Sequence, residues 1–308
     1  MSKLPQVIFI IGQTASGKTA LGIELAKKFN GAIINADSRQ VYKKMDVVTA
    51  KPTRDVGGPK SDYLVEGIKH YLMDIYDPGK PFTLADFKKQ ALESIKKIIA
   101  NGQLPIVVGG TGLYIWSLVD NLDIPAVAPN KKLRSSLEEK TLSELVKLLE
   151  NVDPVGAQKV DLKNKRRVLR ALEVSLSSGE SFAKQATKSD LVYDSLQVGL
   201  RWSREEIYRR IEERIDQQIK NGAVEETKNL IKSYPSDLPS LSTIGYKQIA
   251  TFLRGETSLE EAQAQFKRDA RHYAKRQETW FKRDGRIQWI EKNDLKAAEK
   301  LVKNFITK

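Results

Sequence analysis

Gly12-Gln13-Thr14-Ala15-Ser16-Gly17-Lys18-Thr19 fits the phosphate-binding spacing G-x-x-x-x-G-K-[ST] at every fixed position. The apolar run Val7-Ile8-Phe9-Ile10-Ile11 leads into it, and Leu21, Leu25 and Phe29 follow at helical spacing, so the stretch reads as strand, loop and helix. Its glycines let the main chain curl until successive N–H groups point inward, and the helix adds its positive N-terminal end. Lys18 is placed to reach the outer phosphates, and the Thr19 hydroxyl to hold a Mg2+ ion. An α/β chain with parallel strands is the fold this predicts. The spacing leaves the phosphorylated molecule open, because a nucleotide and a diphosphate on another organic group offer the same oxygens.

The 308 residues suffice for one large α/β domain with a smaller one appended or inserted. Lys and Arg number 52 against 39 Asp and Glu, a formal net charge of +13 that favours a polyanionic partner. Cysteine is absent, which excludes disulfides, thiolate zinc sites and cysteine nucleophiles together. With only His70 and His272, imidazole metal sites have little to work with. The first apolar run enters the loop directly and reads as a core strand, not a secretion signal, and no stretch approaches membrane-spanning length. A cytoplasmic monomer without a membrane partner is the expectation.

Gly31-Ala32-Ile33-Ile34-Asn35-Ala36-Asp37 reads as the second strand, with Asp37 at its C-terminal edge, where open α/β sheets bind ligands. Asp37 then faces the same crevice as Lys18, or else simply caps a helix. Ser38 to Tyr42 and Thr49 to Thr53 read as working loops over that crevice. His70 to Asp74 is a short strand candidate, Phe82 to Ala100 a helix, and Pro105 to Val108 a buried strand. That strand runs into Gly109-Gly110-Thr111-Gly112, where a P-loop hydrolase carries an acid that positions water. Glycines there let the main chain approach a ligand, and Thr111 supplies a hydroxyl.

From Asp120 the strand pattern gives way to lysine- and leucine-rich helical stretches, hinged at Pro125 and Pro129. Residues 120–194 are therefore read as a helical insertion in a core formed by 1–119 and 195–308. Within it Arg166 and Arg170 share a face at i, i+4, with Leu169 and Leu172 behind them; a solvated face and a phosphate contact both fit. The next helix, Arg204 to about Asn221, buries Ile207, Ile211, Ile215 and Ile219, with Arg210 and Arg214 beside the stripe. Those arginines are either ion-pair partners of Glu206 and Glu213 or a clamp on the loop's phosphates. On the last long helix, Ser258 to Arg283, Lys267, Arg271, Lys275 and Lys282 form a basic stripe interleaved with Phe266, Tyr273, Trp280 and Phe281. Such a face suits a flexible RNA strand, although most of the rings are expected to be core. Arg286 to Ile290 is a final strand that completes the sheet.

Taken in order, these motifs resemble the tRNA dimethylallyltransferase (IPP transferase) family over almost the whole chain. The residues that carry the resemblance are the Gly12–Thr19 loop, Asp37 to Tyr42, Thr49-Ala50-Lys51-Pro52, Gly109-Gly110-Thr111, Arg167 with Arg170 to Glu173, Ile244-Gly245-Tyr246, and Ala274-Lys275-Arg276-Gln277 with Thr279-Trp280. The bacterial pattern often has His-Pro-Asn before the insertion's arginines, and this chain has Asp161-Leu162-Lys163-Asn164. The resemblance implies a P-loop, kinase-like parallel sheet core, a helical insertion and a basic C-terminal helix. It implies dimethylallyl diphosphate as donor, used with Mg2+, and the anticodon stem-loop of tRNA as acceptor. By residue matching, Gly12, Gln13, Thr14, Ala15, Ser16, Gly17, Lys18 and Thr19 hold the diphosphate, Asp37 is the carboxylate that acts on the base, Thr111 the active hydroxyl, and Arg210 or Arg214 the diphosphate arginine. The same matching gives RNA contacts at Asp37, Ser38, Arg39, Gln40, Thr111, Arg134, Arg166, Arg167 and Arg170. In the C-terminal part it adds Ser242, Thr243, Ile244, Gly245, Tyr246, Lys247, Lys275, Arg276, Gln277, Thr279, Trp280 and Lys282. The competing readings are a P-loop small-molecule kinase and a prenyl transferase acting on free AMP or ATP.

Overall fold

Val7 to Ile11 are wholly buried, as an uninterrupted apolar run must be when helices cover both faces of a parallel sheet. The computed structural model of the chain describes residues 4–57, 61–125, 130–185 and 189–308. Its strands are β1 (Gln6–Gly12), β2 (Gly31–Asn35), β3 (Leu64–Val65), β4 (Ile68–Tyr71), β5 (Leu104–Gly109), β6 (Asp194–Arg201) and β7 (Gln288–Glu291). They form one seven-stranded sheet in the order β3-β4-β2-β5-β1-β6-β7. Every pairing is parallel except the β3–β4 hairpin. β1 lies between β5 and β6, so the chain leaves it in opposite directions on its two sides and opens the crevice where parallel sheets take ligands.

The helices α1 (Lys18–Lys28), α2 (Leu84–Ala100) and α3 (Gly112–Val119) follow β1, β4 and β5. Leu21 and Leu25 of α1 pack on Ile8, Ile10, Ile33 and Ile106, while Phe9, Ile34 and Val107 alternate to the opposite face. Phe87, Ala91, Ile95 and Ile98 of α2 are the buried side of a helix started by a capping box between Thr83 and Asp86. After β6 come α9 (Arg204–Lys220), α10 (Ala223–Ser233), α11 (Tyr246–Leu253), α12 (Leu259–Phe281) and, beyond β7, α13 (Leu295–Ile306). Helices α9 to α12 build a second apolar cluster with the Val41–Val48 segment.

Residues 1–116 with 192–308 form one compact unit and residues 117–191 a second. The helices of the second among its described residues include α4 (Lys131–Glu138), α5 (Leu142–Val152), α6 (Pro154–Lys159), α7 (Lys165–Ser178) and α8 (Phe182–Gln185). Leu145 and Leu149 of α5 meet Val168, Ala171 and Leu172 of α7 in its core, with Leu169 packed against them. Pro129, expected as a hinge, lies outside the described residues.

Several elements differ from expectation. The second strand stops at Asn35, leaving Asp37 in the turn beyond, because the Asn35 side chain accepts from Asp37 N at 3.2 Å and donates to Leu72 O at 3.0 Å. The strand expected at His70–Asp74 begins earlier, at Ile68, where the β3 hairpin pairs with it. Beyond β7 the chain adds α13, whose Ala298, Val302 and Phe305 join the cluster under α1.

Candidate active site

The loop between β1 and α1 is held by side chains of α12, of α9 and of the residue after β6, and by its own Gln13. Gln277 of α12 accepts from Thr14 N at 2.7 Å and donates to Gly110 O at 2.9 Å, tying the loop to the end of β5. Gln13 donates to Ala274 O at 3.1 Å. Trp202, just past β6, donates to Ser16 O at 3.0 Å. Arg210 Nε donates to Ala15 O at 2.8 Å, and Arg214 Nη2 to Thr14 Oγ1 at 2.6 Å. Ala15 sits at φ 61°, a left-handed conformation that a non-glycine residue holds only when its surroundings over-determine it.

Both arginines are therefore at the loop. The acids expected as their alternative partners belong to Arg209, which reaches Glu206 at 2.6 Å and Glu213 at 2.5 Å on the outer face of α9. The guanidinium of Arg210 lies 4.4 Å from the Trp202 ring centre. Burial pulls the Arg214 pKa below its ordinary value; Asp37 opposes this and Arg210 adds to it. Burial likewise brings Lys18 down to about 7, against the pull of Asp37 and with the push of Arg214. Lys18 donates to Gln13 O at 2.6 Å. Crowded positive charge under low polarity is the condition of a site made for an anion.

Asp37 does two things at once. Its Oδ1 accepts from Arg39 N at 2.8 Å and Gln40 N at 3.4 Å, so it closes the turn as a cap does, and it also borders the crevice. Ser38 N donates to Thr111 Oγ1 at 3.1 Å, which places that hydroxyl beside the Asp37 turn. A cavity of about 100 Å3 is lined by Thr14, Lys18, Thr19 and Asp37, with Thr49 and Ala50 closing it. A second, of about 290 Å3, shares Thr14, Asp37, Thr49, Arg214 and Tyr273 with the first and adds Val48, Ile244 and Phe266. Tyr273 thus stands where the two meet; burial pushes its phenol up to about 12, with Asp37 adding to the shift.

Thr19 and Asp37 offer hard oxygens at the border of one cavity, and the Ser16 hydroxyl is buried without a hydrogen-bond partner. No group of three or more His, Cys, Asp or Glu side chains is gathered among the described residues. The donor set fits Mg2+, which takes one or two protein oxygens and completes its shell with substrate phosphates and water.

Other expected residues are placed differently. The glycines after β5 are approached by the protein itself: a Cβ on Gly110 would stand 2.3 Å from Gln277 Nε2. Gln277 is buried, Trp280 packs on Trp116 with ring centres 4.6 Å apart, and Tyr246 is buried with its hydroxyl on Glu226. Gln40 spends its amide on Thr49 O and Ala50 O, and Arg39 donates to Pro239 O at 3.1 Å. The stripe on α12 is not uniform, because Lys267 pairs with Asp216 at 2.5 Å and Arg271 pairs with Glu212. Lys275, Arg276, Thr279 and Lys282 are exposed, Lys282 being paired with Glu278 at 2.6 Å. Ser242 and Lys247 are exposed, and Thr243 lines the larger cavity. In the helical unit Arg134 and Arg170 both bind Glu173, Arg167 lies 3.6 Å from Asp161, and Arg166 is exposed.

Trp202, Tyr273 and Gln277 are the site residues whose roles sequence reasoning missed. Trp202 directly follows the C-terminal end of β6, and the rule that ligands gather outside such strand ends would have flagged it.

Comparison with known proteins follows the same lines. The IPP transferase family model matches residues 40–284, and the isopentenyl transferase model residues 5–68. A tRNA dimethylallyltransferase of Acetivibrio thermocellus is 41% identical over 310 residues, covering 98% of this chain and 96% of its own. One from Anoxybacillus flavithermus is 40% identical over 303 residues, covering 98% and 95%. Among solved structures, the tRNA isopentenylpyrophosphate transferase of Bacillus halodurans superposes with a TM-score of 0.70 at 35% identity, over 99% of this chain and 96% of that one. A eukaryotic dimethylallyltransferase acting on tRNA superposes with a TM-score of 0.82 at 29% identity, over 98% and 80%. The P-loop fold, the crevice beyond β1 and a family match spanning most of the sequence together make this chain a member of the IPP transferase family.

Proposed function

We propose that this chain transfers the dimethylallyl group of dimethylallyl diphosphate to N6 of the adenosine 3′ to the anticodon in tRNA. The observation that carries this is the place of Asp37, on the shared border of the loop cavity and the larger chamber. The diphosphate lies against Gly12 to Thr19, with Lys18, Arg210 and Arg214 around it. The acceptor purine occupies the larger chamber, where Phe266 and Tyr273 offer aromatic surface and Thr243 a hydroxyl.

An adenine N6 amine is a weak nucleophile because its lone pair is delocalised into the ring. Asp37 takes its proton as the new C–N bond forms, and such assistance contributes about 10²–10⁴ in rate. As the allylic C–O bond breaks, negative charge grows on the departing diphosphate, where Lys18 and the two arginines already stand. Thr19 would hold a Mg2+ ion there, which would supply further positive charge to the leaving group. Thr111, bonded to Ser38 N, fixes the turn that carries Asp37. The target base leaves its stack at a cost of a few kcal/mol, less in a single-stranded loop. Arg166 of the helical unit, and Lys275 and Arg276 of α12, supply exposed charge for the RNA phosphates. No described helix is long and apolar enough to cross a membrane.

The test is transfer of label from radiolabelled dimethylallyl diphosphate to unmodified tRNA with adenosine beside its anticodon. Label on AMP moves the assignment to a free-nucleotide prenyl transferase, a reading favoured by the isopentenyl transferase match at residues 5–68. Transfer of the γ-phosphate of ATP to a small acceptor moves it to a kinase.

A further inference from the structure

Glu226 sits on α10, outside the lining of both cavities, yet its carboxylate takes four hydrogen bonds. Oε2 accepts from Asp46 N at 2.8 Å and Val47 N at 2.6 Å, while Oε1 accepts from Val48 N at 3.0 Å and the Tyr246 hydroxyl at 2.6 Å. Three successive main-chain N–H groups converging on one carboxylate form the concavity that proteins use for bound anions, and here a side chain fills it. Gln218 of α9 completes the clamp by donating to Val47 O and Val48 O, both at 2.9 Å.

What these bonds hold is two walls of the larger chamber. Val48 and Thr49 form one, and Ile244 and Tyr246 at the start of α11 form another. The walls also touch: Gly245, at φ +95°, has room for no side chain, since a Cβ would stand 2.4 Å from Val48 Cγ1. The phosphate loop is fixed by a different set, Gln277, Trp202, Arg210 and Arg214.

We propose that Glu226 is a positioning residue that sets the width of the acceptor chamber through Val48 and Tyr246, while the phosphate loop keeps its own separate contacts. This rests on the function proposed above. Glu226→Gln puts an amide N–H2 against main-chain donors. The KM for an unmodified tRNA transcript is expected to rise about tenfold, equivalent to about 1.4 kcal/mol. Turnover at saturation and the calorimetric affinity for inorganic pyrophosphate stay within about threefold, under 1 kcal/mol. Tyr246→Phe, which removes one of the four bonds, moves KM in the same direction by less. An unchanged KM in folded Glu226→Gln overturns the proposal, as does a KM rise matched by an equal loss of pyrophosphate affinity. Should wild-type protein transfer no label to tRNA, the proposed function fails instead, and hydrogen exchange decides the positioning. Faster exchange confined to 46–49 and 242–246 in Glu226→Gln upholds it, and uniform or absent change overturns it.

Discussion

On α7 the arginines four residues apart are Arg166 and Arg170, on α9 they are Arg210 and Arg214, and the two pairs meet different partners. Arg170 lies 2.8 Å from Glu173, which also takes Arg134 at 2.7 Å and Asn130 N at 2.9 Å. Burial by itself raises the Glu173 pKa, but the bonds from Arg170 and Arg134 outweigh it and hold the carboxyl below its usual range. The charge of Arg170 is thus matched inside its own helical unit. Arg210 and Arg214 instead donate to a carbonyl and a hydroxyl, while Arg209 absorbs the nearby acids. Equal spacing marks a face of a helix; whether an acid answers it decides if the charge remains for a ligand.

The largest expected effect tests the unanswered pair. Arg214→Ala should lower transfer at saturating substrate by about 10²–10³, the usual cost of removing one donor from developing negative charge. Arg210→Ala should cost about tenfold, because Trp202 and Ala15 O also fix its place and Arg214 remains. Single-turnover rates measure both, and a loss at Arg170→Ala equal to that at Arg214→Ala would break the contrast. Next comes the answered arginine, Arg170, which shares Glu173 with Arg134. Glu173→Gln should destabilise the protein by about 1–3 kcal/mol in urea, because the buried negative charge shared by two arginines is lost and an amide donor faces them or Asn130 N. Glu213→Gln, exposed on α9, should leave the urea midpoint where it was.

The third test uses the positive charge gathered at the loop. The Lys18 pKa of about 7 in the folded protein lies below its unfolded value, so the unfolded chain binds more protons across that interval. Stability of the ligand-free protein should therefore rise as pH increases from 7 towards 10. Pyrophosphate favours the charged amine, so its binding at pH 8 should take up protons. Calorimetry in buffers of different ionisation enthalpy measures that uptake, and proton release would overturn the assignment of Lys18 to the anion.

Much of this was legible in the sequence, and the rest was lost for identifiable reasons. The phosphate loop and β1 declare themselves by spacing and by an unbroken apolar run. Asp37 is legible because it falls just past a strand's C-terminal end. The division of labour among Arg209, Arg210 and Arg214 was not, since both Arg209 and Arg210 stand three or four residues from Glu206 and Glu213. Helix phase settles it: Arg210 and Arg214 flank the buried Ile211 and Ile215, whereas Arg209 is exposed. Tyr273 and Gln277 looked like members of a nucleic-acid face, because aromatic and amide side chains carry no mark of which side of α12 packs inward. Helix α13 has apolar residues at helical spacing, Ala298, Val302 and Phe305, but it carries no site motif that would draw it out of the sequence.

The smallest effect repeats the contrast on a single helix. Lys275 and Arg271 are one turn apart on α12, and spacing alone makes them equivalent. Arg271 pairs with Glu212 of α9, whereas Lys275 is exposed with no acid at ion-pair distance among the described residues. A cation already facing a carboxylate displaces few counterions when a phosphate arrives, but a free one releases about one. Lys275→Ala should therefore weaken tRNA binding a few-fold and lower the slope of log K against log salt by about one. Arg271→Ala should change that slope by less than half as much and show instead as a small loss of stability, since it leaves Glu212 unanswered against α12. Filter binding from low to moderate salt separates the two. Equal slopes for both variants would mean that the α9 acid does not neutralise its partner, and the distinction drawn between answered and unanswered cations would fail on this helix first.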